Sequence, residues 1–119
     1  MDLSIVIPVY KSAEILPLLV KEIEMKVKFV KNFELIFVND ASPDSSWKVI
    51  CQLKKKSKFI RGINLMRNFS QHNAIMAGLN EARGDIIVMM DDDLQHSPED
   101  IKKMYEKNGF VFFVRLPEK

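Results

Sequence analysis

Short, β-branched apolar runs alternate along this chain with stretches whose apolar residues recur every three or four positions, and few folds satisfy that pattern. Residues 3–9 form an apolar run with a proline near its end, which is how a buried parallel strand reads. Ile15, Leu16, Leu19, Val20, Ile23 and Val27 then mark one apolar helix face. Pro17 is tolerated only in a first turn, so that helix is predicted to begin between Ser12 and Leu16. Residues 33–38 read as a second strand, stopped by Asn39-Asp40-Ala41-Ser42-Pro43-Asp44, all turn and cap formers. Trp47, Ile50, Cys51 and Leu53 mark a second helix, and residues 60–65 a third strand. Ile75, Met76 and Leu79 mark a third helix over 71–82, with Gly84 where a C-terminal glycine cap belongs. Residues 85–90 read as a fourth strand and 110–114 as a fifth. Between them Ser97-Pro98-Glu99-Asp100 supplies an N-cap serine, a first-turn proline and two first-turn acids. The alternation predicts an α/β domain, a mostly parallel sheet with helices on both faces, because right-handed crossovers place them there.

The length of 119 residues suits one such domain with one core, against roughly 100 to 200 residues per domain. Eighteen basic and sixteen acidic residues nearly balance, so electrostatics calls for no nucleic acid partner. The lysines at 54, 55, 56 and 58 read as a solvated helix end that complements the helix dipole. Cys51 is the single cysteine, which excludes a disulfide framework and a cysteine metal site, fits a reducing cytosol, and reads as a small core residue. No secretory pattern opens the sequence. The apolar run at 86–90 is far shorter than the roughly 20 residues that span a bilayer.

Open parallel sheets bind ligands at the carboxyl ends of their strands. Polar clusters fall there after each of the first four runs, at residues 8–12, 39–44, 67–73 and 91–96. The acidic run Asp91-Asp92-Asp93 is the most demanding of them, because adjacent carboxylates raise one another's pKa unless a cation or donors compensate. Residues at i and i+2 of an extended strand end point the same way, so Asp91 and Asp93 can share an ion while Asp92 faces elsewhere. Hard oxygen donors suit Mg²⁺ or Mn²⁺. An EF-hand starting at Asp91 would need glycine where His96 stands and glutamate where Lys102 stands. The other reading, aspartates capping a helix in solvent, needs only one capping residue, and Ser97 already offers it. Taken alone, Asp40 and Asp44 read as turn and capping residues. Arg67, with Asn68, Gln71 and His72 nearby, can neutralise a phosphate. His72 and His96 read as ordinary loop histidines rather than ligands or bases.

In this order the motifs match a family. Ser4-Ile5-Val6-Ile7-Pro8-Val9-Tyr10, Val38-Asn39-Asp40-Ala41-Ser42-Pro43-Asp44, Arg67-Asn68-Phe69 ahead of Ala77-Gly78, and Met90-Asp91-Asp92-Asp93-Leu94-Gln95-His96-Ser97-Pro98-Glu99 resemble the family 2 glycosyltransferases of GT-A fold. Among these the sequence looks most like the polyprenyl-phosphate sugar transferases acting on dolichyl or undecaprenyl phosphate, over residues 3–107. The resemblance implies a Rossmann-like, nucleotide-binding half of a GT-A fold. It implies that Pro8, Val9, Tyr10 and Asp40 line a nucleobase and ribose pocket, that Asp91 and Asp93 bind the metal, and that Asp92 and Gln95 lie beside the donor phosphates. Arg67 joins the nucleotide-binding set, and Arg115 occupies the place of a phosphate-contacting arginine. Ser12 departs from the acid common at that position in lipid-carrier relatives.

The implied reaction moves a sugar from a UDP- or GDP-sugar to an acceptor, a polyprenyl phosphate or a glycan, with metal-assisted departure of the nucleoside diphosphate. A phosphate acceptor is already anionic, and no general base is assigned here. Relatives continue with an acceptor-binding half, so the expectation is a single nucleotide-sugar-binding domain truncated after about residue 115. Two other readings stay open, a noncatalytic nucleotide-sugar-binding module and a sugar nucleotidyltransferase. The second usually carries a glycine-rich loop after its first strand, whereas residues 8–14 hold no glycine. A cytoplasmic location, at the cytoplasmic face of a membrane through peripheral association, and homo-oligomerisation belong to the same set of expectations.

Overall fold

The apolar runs become strands in the computed structural model, which describes residues 2–66 and 71–90 and the strand at 112–113, with side chains in the third helix from residue 74. The elements follow in the order β1 (Leu3–Val9), α1 (Leu16–Lys26), β2 (Phe33–Asn39), α2 (Ser46–Lys56), β3 (Ile60–Asn64), α3 (Gln71–Glu81), β4 (Ile86–Met89) and β5 (Phe112–Phe113). Among the described residues all strand pairs are parallel, and the sheet order is β3-β2-β1-β4-β5. The anticipated helix start at Ser97 lies outside the described residues.

Period-two alternation in the strands sorts the core into two layers. Leu3, Ile5, Ile7 and Val9 of β1 and Leu35 and Phe37 of β2 pack with Leu16, Leu19, Val20 and Ile23 of α1 and Ile50 of α2. Val6, Ile36, Val38 and Met89 face the other way, onto Ala74 of α3. Each fully buried aliphatic side chain contributes about 1.5 to 3 kcal/mol. α1 starts where its proline allows, with Ile15 as N-cap and Pro17 in the first turn.

Several side chains depart from the sequence expectation. Met76 is exposed, and α3 instead turns Ala74 and Gly78 to the sheet. A Cβ at Gly78 would lie 2.2 Å from Val6 Cγ1, so small residues let the helix approach closely. Gly84 is not a left-handed cap, since no described glycine has positive φ. The helix end is closed by Arg61, whose Nη1 donates to the Glu81 carbonyl at 2.8 Å. Gly84 is needed because a Cβ there would meet Ser4 N at 2.5 Å and Leu3 C at 2.7 Å. Cys51 is half-buried, and its neighbour Ile50 takes the core position.

Candidate functional site

The chain leaves β1 through α1 toward β2 on one side, and returns through α3 to β4 on the other, with α1 and α3 on opposite faces. The carboxyl ends of β1 and β4 therefore flank a topological switch point, where open α/β sheets form a crevice. Pro8 sharpens the parting. The β1–β4 register runs to Val6↔Met89, and Met90 N donates to Val6 O at 3.1 Å. The next bond of a parallel ladder would come from the N–H of residue 8, which proline lacks. Among the described residues, 7–9 continue with β2 alone.

Pro8 and Val9 are buried at this parting, and Tyr10 stands at its mouth, 44% exposed. Lys11 places its Nζ 5.5 Å from the Tyr10 ring centroid, a cation–π contact. Asp40, 5% exposed, lies beside them, its N–H donating to Val9 O at 3.0 Å. Of the expected nucleotide-binding residues, Pro8, Val9, Tyr10 and Asp40 are thus brought together. Arg67, Asp91, Asp92, Asp93, Gln95 and Arg115 lie outside the described residues. Among the described residues, no group of three or more His, Cys, Asp or Glu could hold a metal.

The loops after β1 and β2 turn sharply, each through one residue in the left-handed region, Lys11 at φ 55° and Ala41 at φ 53°. Their conformations are tied together. Lys11 N–H donates to Ser42 Oγ at 2.8 Å, Ser12 N–H to Ser46 Oγ at 3.0 Å, and Ala13 N–H to Asp44 Oδ2 at 3.4 Å. Asp44 Oδ1 accepts from Ser42 Oγ at 2.5 Å and from Ser46 N–H at 3.0 Å. Burial pushes the Asp44 carboxyl up, but the Ser42 and Ser46 hydroxyls and the N–H groups of Ser46 and Ala13 outweigh it and hold the pKa at about 2. Asp44 is a latch between loops, in keeping with its turn-and-cap reading. Nothing local in the sequence marks Ser42 and Ser46 as its partners, since only a fold that brings the two loops side by side defines them.

The sequence profile described as Glycosyl transferase family 2 matches residues 4–108. The undecaprenyl-phosphate 4-deoxy-4-formamido-L-arabinose transferase of Photorhabdus laumondii is 42% identical over 103 residues, covering 85% of this chain and 32% of that protein. The enzyme of the same name from Proteus mirabilis shows the same identity and coverage. The chain thus spans about a third of the length of the curated relatives it matches. Among solved structures, S. aureus TarS 1-349 aligns with a TM-score of 0.74 at 23% identity, over 89% of this chain and 32% of that one. The mannosyltransferase PcManGT of Pyrobaculum calidifontis, in complex with GDP-Man and Mn²⁺, aligns with a TM-score of 0.71 at 18% identity, over 77% of this chain and 27% of that one. Both structures support the GT-A sheet, and the sequence matches carry the relationship further: the chain belongs to glycosyl transferase family 2.

Proposed function

We propose that this chain is the donor-binding part of an enzyme that transfers a sugar from a UDP- or GDP-sugar to a polyprenyl phosphate. The observation that carries the reading is the parting of β1 and β4 at Pro8, with Tyr10 and Asp40 at its rim and the acidic run beginning directly after Met90. The relatives named for undecaprenyl phosphate support the acceptor class, against a glycan acceptor.

In this reading the Tyr10 ring and Pro8 pack the nucleobase, and the Asp40 carboxylate accepts a base N–H. Arg67 and Arg115 pair with phosphate oxygens, beside Asp92 and Gln95. Asp91 and Asp93 would hold Mg²⁺ or Mn²⁺. The donor set fits, because hard carboxylate oxygens follow a strand whose end is anchored by Met90 N on Val6 O. A bound divalent cation supplies positive charge for the departing diphosphate. The acceptor phosphate enters as an anion, so no side chain of this chain is assigned to deprotonate it.

No helix among the described residues is long and apolar enough to cross a membrane. A polyprenyl carrier nevertheless places the reaction at a membrane surface, and we assign the chain to the cytoplasmic face by peripheral association.

Calorimetric titration with UDP and GDP in the presence of Mn²⁺ tests donor binding. One of the two nucleotides should bind, and the Asp91→Asn/Asp93→Asn double variant should lose the metal-dependent part. Undiminished metal-dependent binding in that variant would refute the metal assignment. Transfer of radiolabelled sugar to a polyprenyl phosphate separates catalysis from binding alone, because nucleotide binding without turnover leaves a noncatalytic module.

A further inference from the structure

The last rung of the β2–β3 ladder, Asn39↔Asn64, pairs two amides. Asn39 Nδ2 donates to Asn64 Oδ1 at 2.9 Å, and the Asn39 carbonyl accepts from Leu65 N–H at 2.9 Å. Asn39 is 3% exposed, and its Oδ1 is buried with no hydrogen-bond partner among the described residues. A buried acceptor left empty lowers stability, because its desolvation is not repaid by a bond. Leu35 and Phe37 precede Asn39 on the same side of β2 and belong to the core beneath α1 and α2. An apolar residue at position 39 would extend that core, so structural economy does not explain the asparagine.

Its neighbours do. The next residue is Asp40, whose N–H is held by Val9 O, and the residue after that is the left-handed Ala41. The peptide joining Asn39 to Asp40 is therefore gripped on one side by β3, through the Asn39 amide and carbonyl, and on the other by β1. Its orientation sets the backbone from which the Asp40 carboxylate projects.

We propose that Asn39 is a positioning residue for nucleotide recognition, whose side-chain amide fixes the Asp40 turn by holding Asn64, and that it does so at the expense of folding stability. The proposal rests on Asp40 being the base-recognising carboxylate. Asn39 itself touches no substrate in it. A purely structural asparagine would lose stability when replaced, whereas a positioning asparagine separates affinity from stability.

The test is titration of UDP and GDP with Mn²⁺ into the wild-type chain, Asn39→Leu, Asn64→Ala and the double variant, together with each thermal midpoint. Asn39→Leu is expected to keep or raise the midpoint while weakening the nucleotide that binds by about tenfold. Asn64→Ala, at an exposed position, should weaken it comparably, and the double variant should be no weaker than Asn39→Leu, because the two amides act as one unit. Weakening of less than about threefold in Asn39→Leu overturns the proposal, as does weakening that comes with a lowered midpoint. If the wild-type chain binds neither nucleotide, the reading of the site fails and the proposal falls with it. Tight wild-type binding with an indifferent Asn39→Leu sinks the proposal alone.

Discussion

The amino and carboxyl edges of the sheet handle polar groups in opposite ways. At the amino edge, Glu34 is 2% exposed yet well satisfied. It accepts from Ser4 Oγ at 2.5 Å, from Arg83 N–H at 2.7 Å and from Arg61 Nη1 at 2.9 Å. Arg61 also reaches Glu81 Oε2 at 3.1 Å, and Gly84 N–H donates to Ser4 Oγ at 2.7 Å. This network locks the end of α3 and the entry to β4 onto three strands. At the carboxyl edge, Tyr10 is exposed, two non-glycine residues sit in the left-handed region, and a buried amide oxygen has no partner among the described residues. Among the described residues, the same sheet thus has one edge built to hold and one with an unmet bond and backbone strain, a combination that often accompanies functional sites.

Damage at the amino edge should therefore lower stability without changing nucleotide affinity. Glu34→Ala is the severest case. It strands the Ser4 hydroxyl, the Arg83 N–H and a partly buried guanidinium, and breaking a buried pair from one side costs about 3 to 5 kcal/mol. The lower end is expected, about 3 kcal/mol, since water reaches part of Arg61. Urea denaturation measures the loss, and nucleotide affinity at a temperature where the variant stays folded should not change. A loss under about 1 kcal/mol would mean that the network is ornamental.

Gly84→Ala probes the same edge through sterics. The new Cβ would meet the backbone of Leu3 and Ser4, which cannot swing aside as a side chain can. A loss of about 2 kcal/mol in urea denaturation is expected, typical of overpacking. An unchanged midpoint would show that the β4 entry has slack.

How much of this contrast the sequence reveals depends on the range of the forces involved. Strand and helix order follow from local periodicity, and residues 3–9 and 33–39 become β1 and β2 nearly as their patterns predict. The grouping of Pro8, Tyr10 and Asp40 follows from topology, because parallel strands deliver their carboxyl ends to one edge. The Glu34 network is less legible. A lone acid opening an apolar strand is a visible oddity, but its donors come from Ser4, Arg61 and Arg83, and only the register brings them together. Met76 misleads because a large apolar residue outweighs Ala74 and Gly78 in any periodicity reading, whereas close packing favours the small pair. The acidic run is the reverse case, prominent in the sequence and outside the described residues.

Acid should separate the edges next, because each depends on a carboxylate with a lowered pKa. At the carboxyl edge, the Asp44 pKa falls from 3.8 to about 2 on folding. Its contribution is therefore fully present above pH 3.8 and is lost as pH falls through about 2. Burial also pushes Glu34 up, but the Ser4 hydroxyl, the Arg83 N–H and Arg61 prevail and leave it below its ordinary 4.5. Its contribution is full above pH 4.5 and fades below that as the folded group protonates. Asp44→Asn should accordingly be less stable than wild type at pH 5, with the gap in urea midpoints closing toward pH 2. A gap independent of pH would assign the Asp44 contribution to shape instead of charge. The effect should be smaller than that of Gly84→Ala, because the latch is exposed and water competes for its bonds.

The smallest effect should have the opposite sign. Ala41 holds φ at 53°, a region that costs a residue with a Cβ about 1 to 2 kcal/mol. Glycine removes that penalty but gives the unfolded chain more freedom, worth about 0.4 to 1 kcal/mol against folding. Ala41→Gly should therefore stabilise the chain by about 0.5 kcal/mol, read as a rise in urea midpoint at unchanged slope. No substitution of that kind is open at Gly84, where the backbone is already unstrained and the space is full. A fall in stability on Ala41→Gly would show that the Ser42 and Asp44 bonds, rather than the Ala41 backbone, dominate this turn, and that the carboxyl edge carries less strain than its dihedral angles suggest.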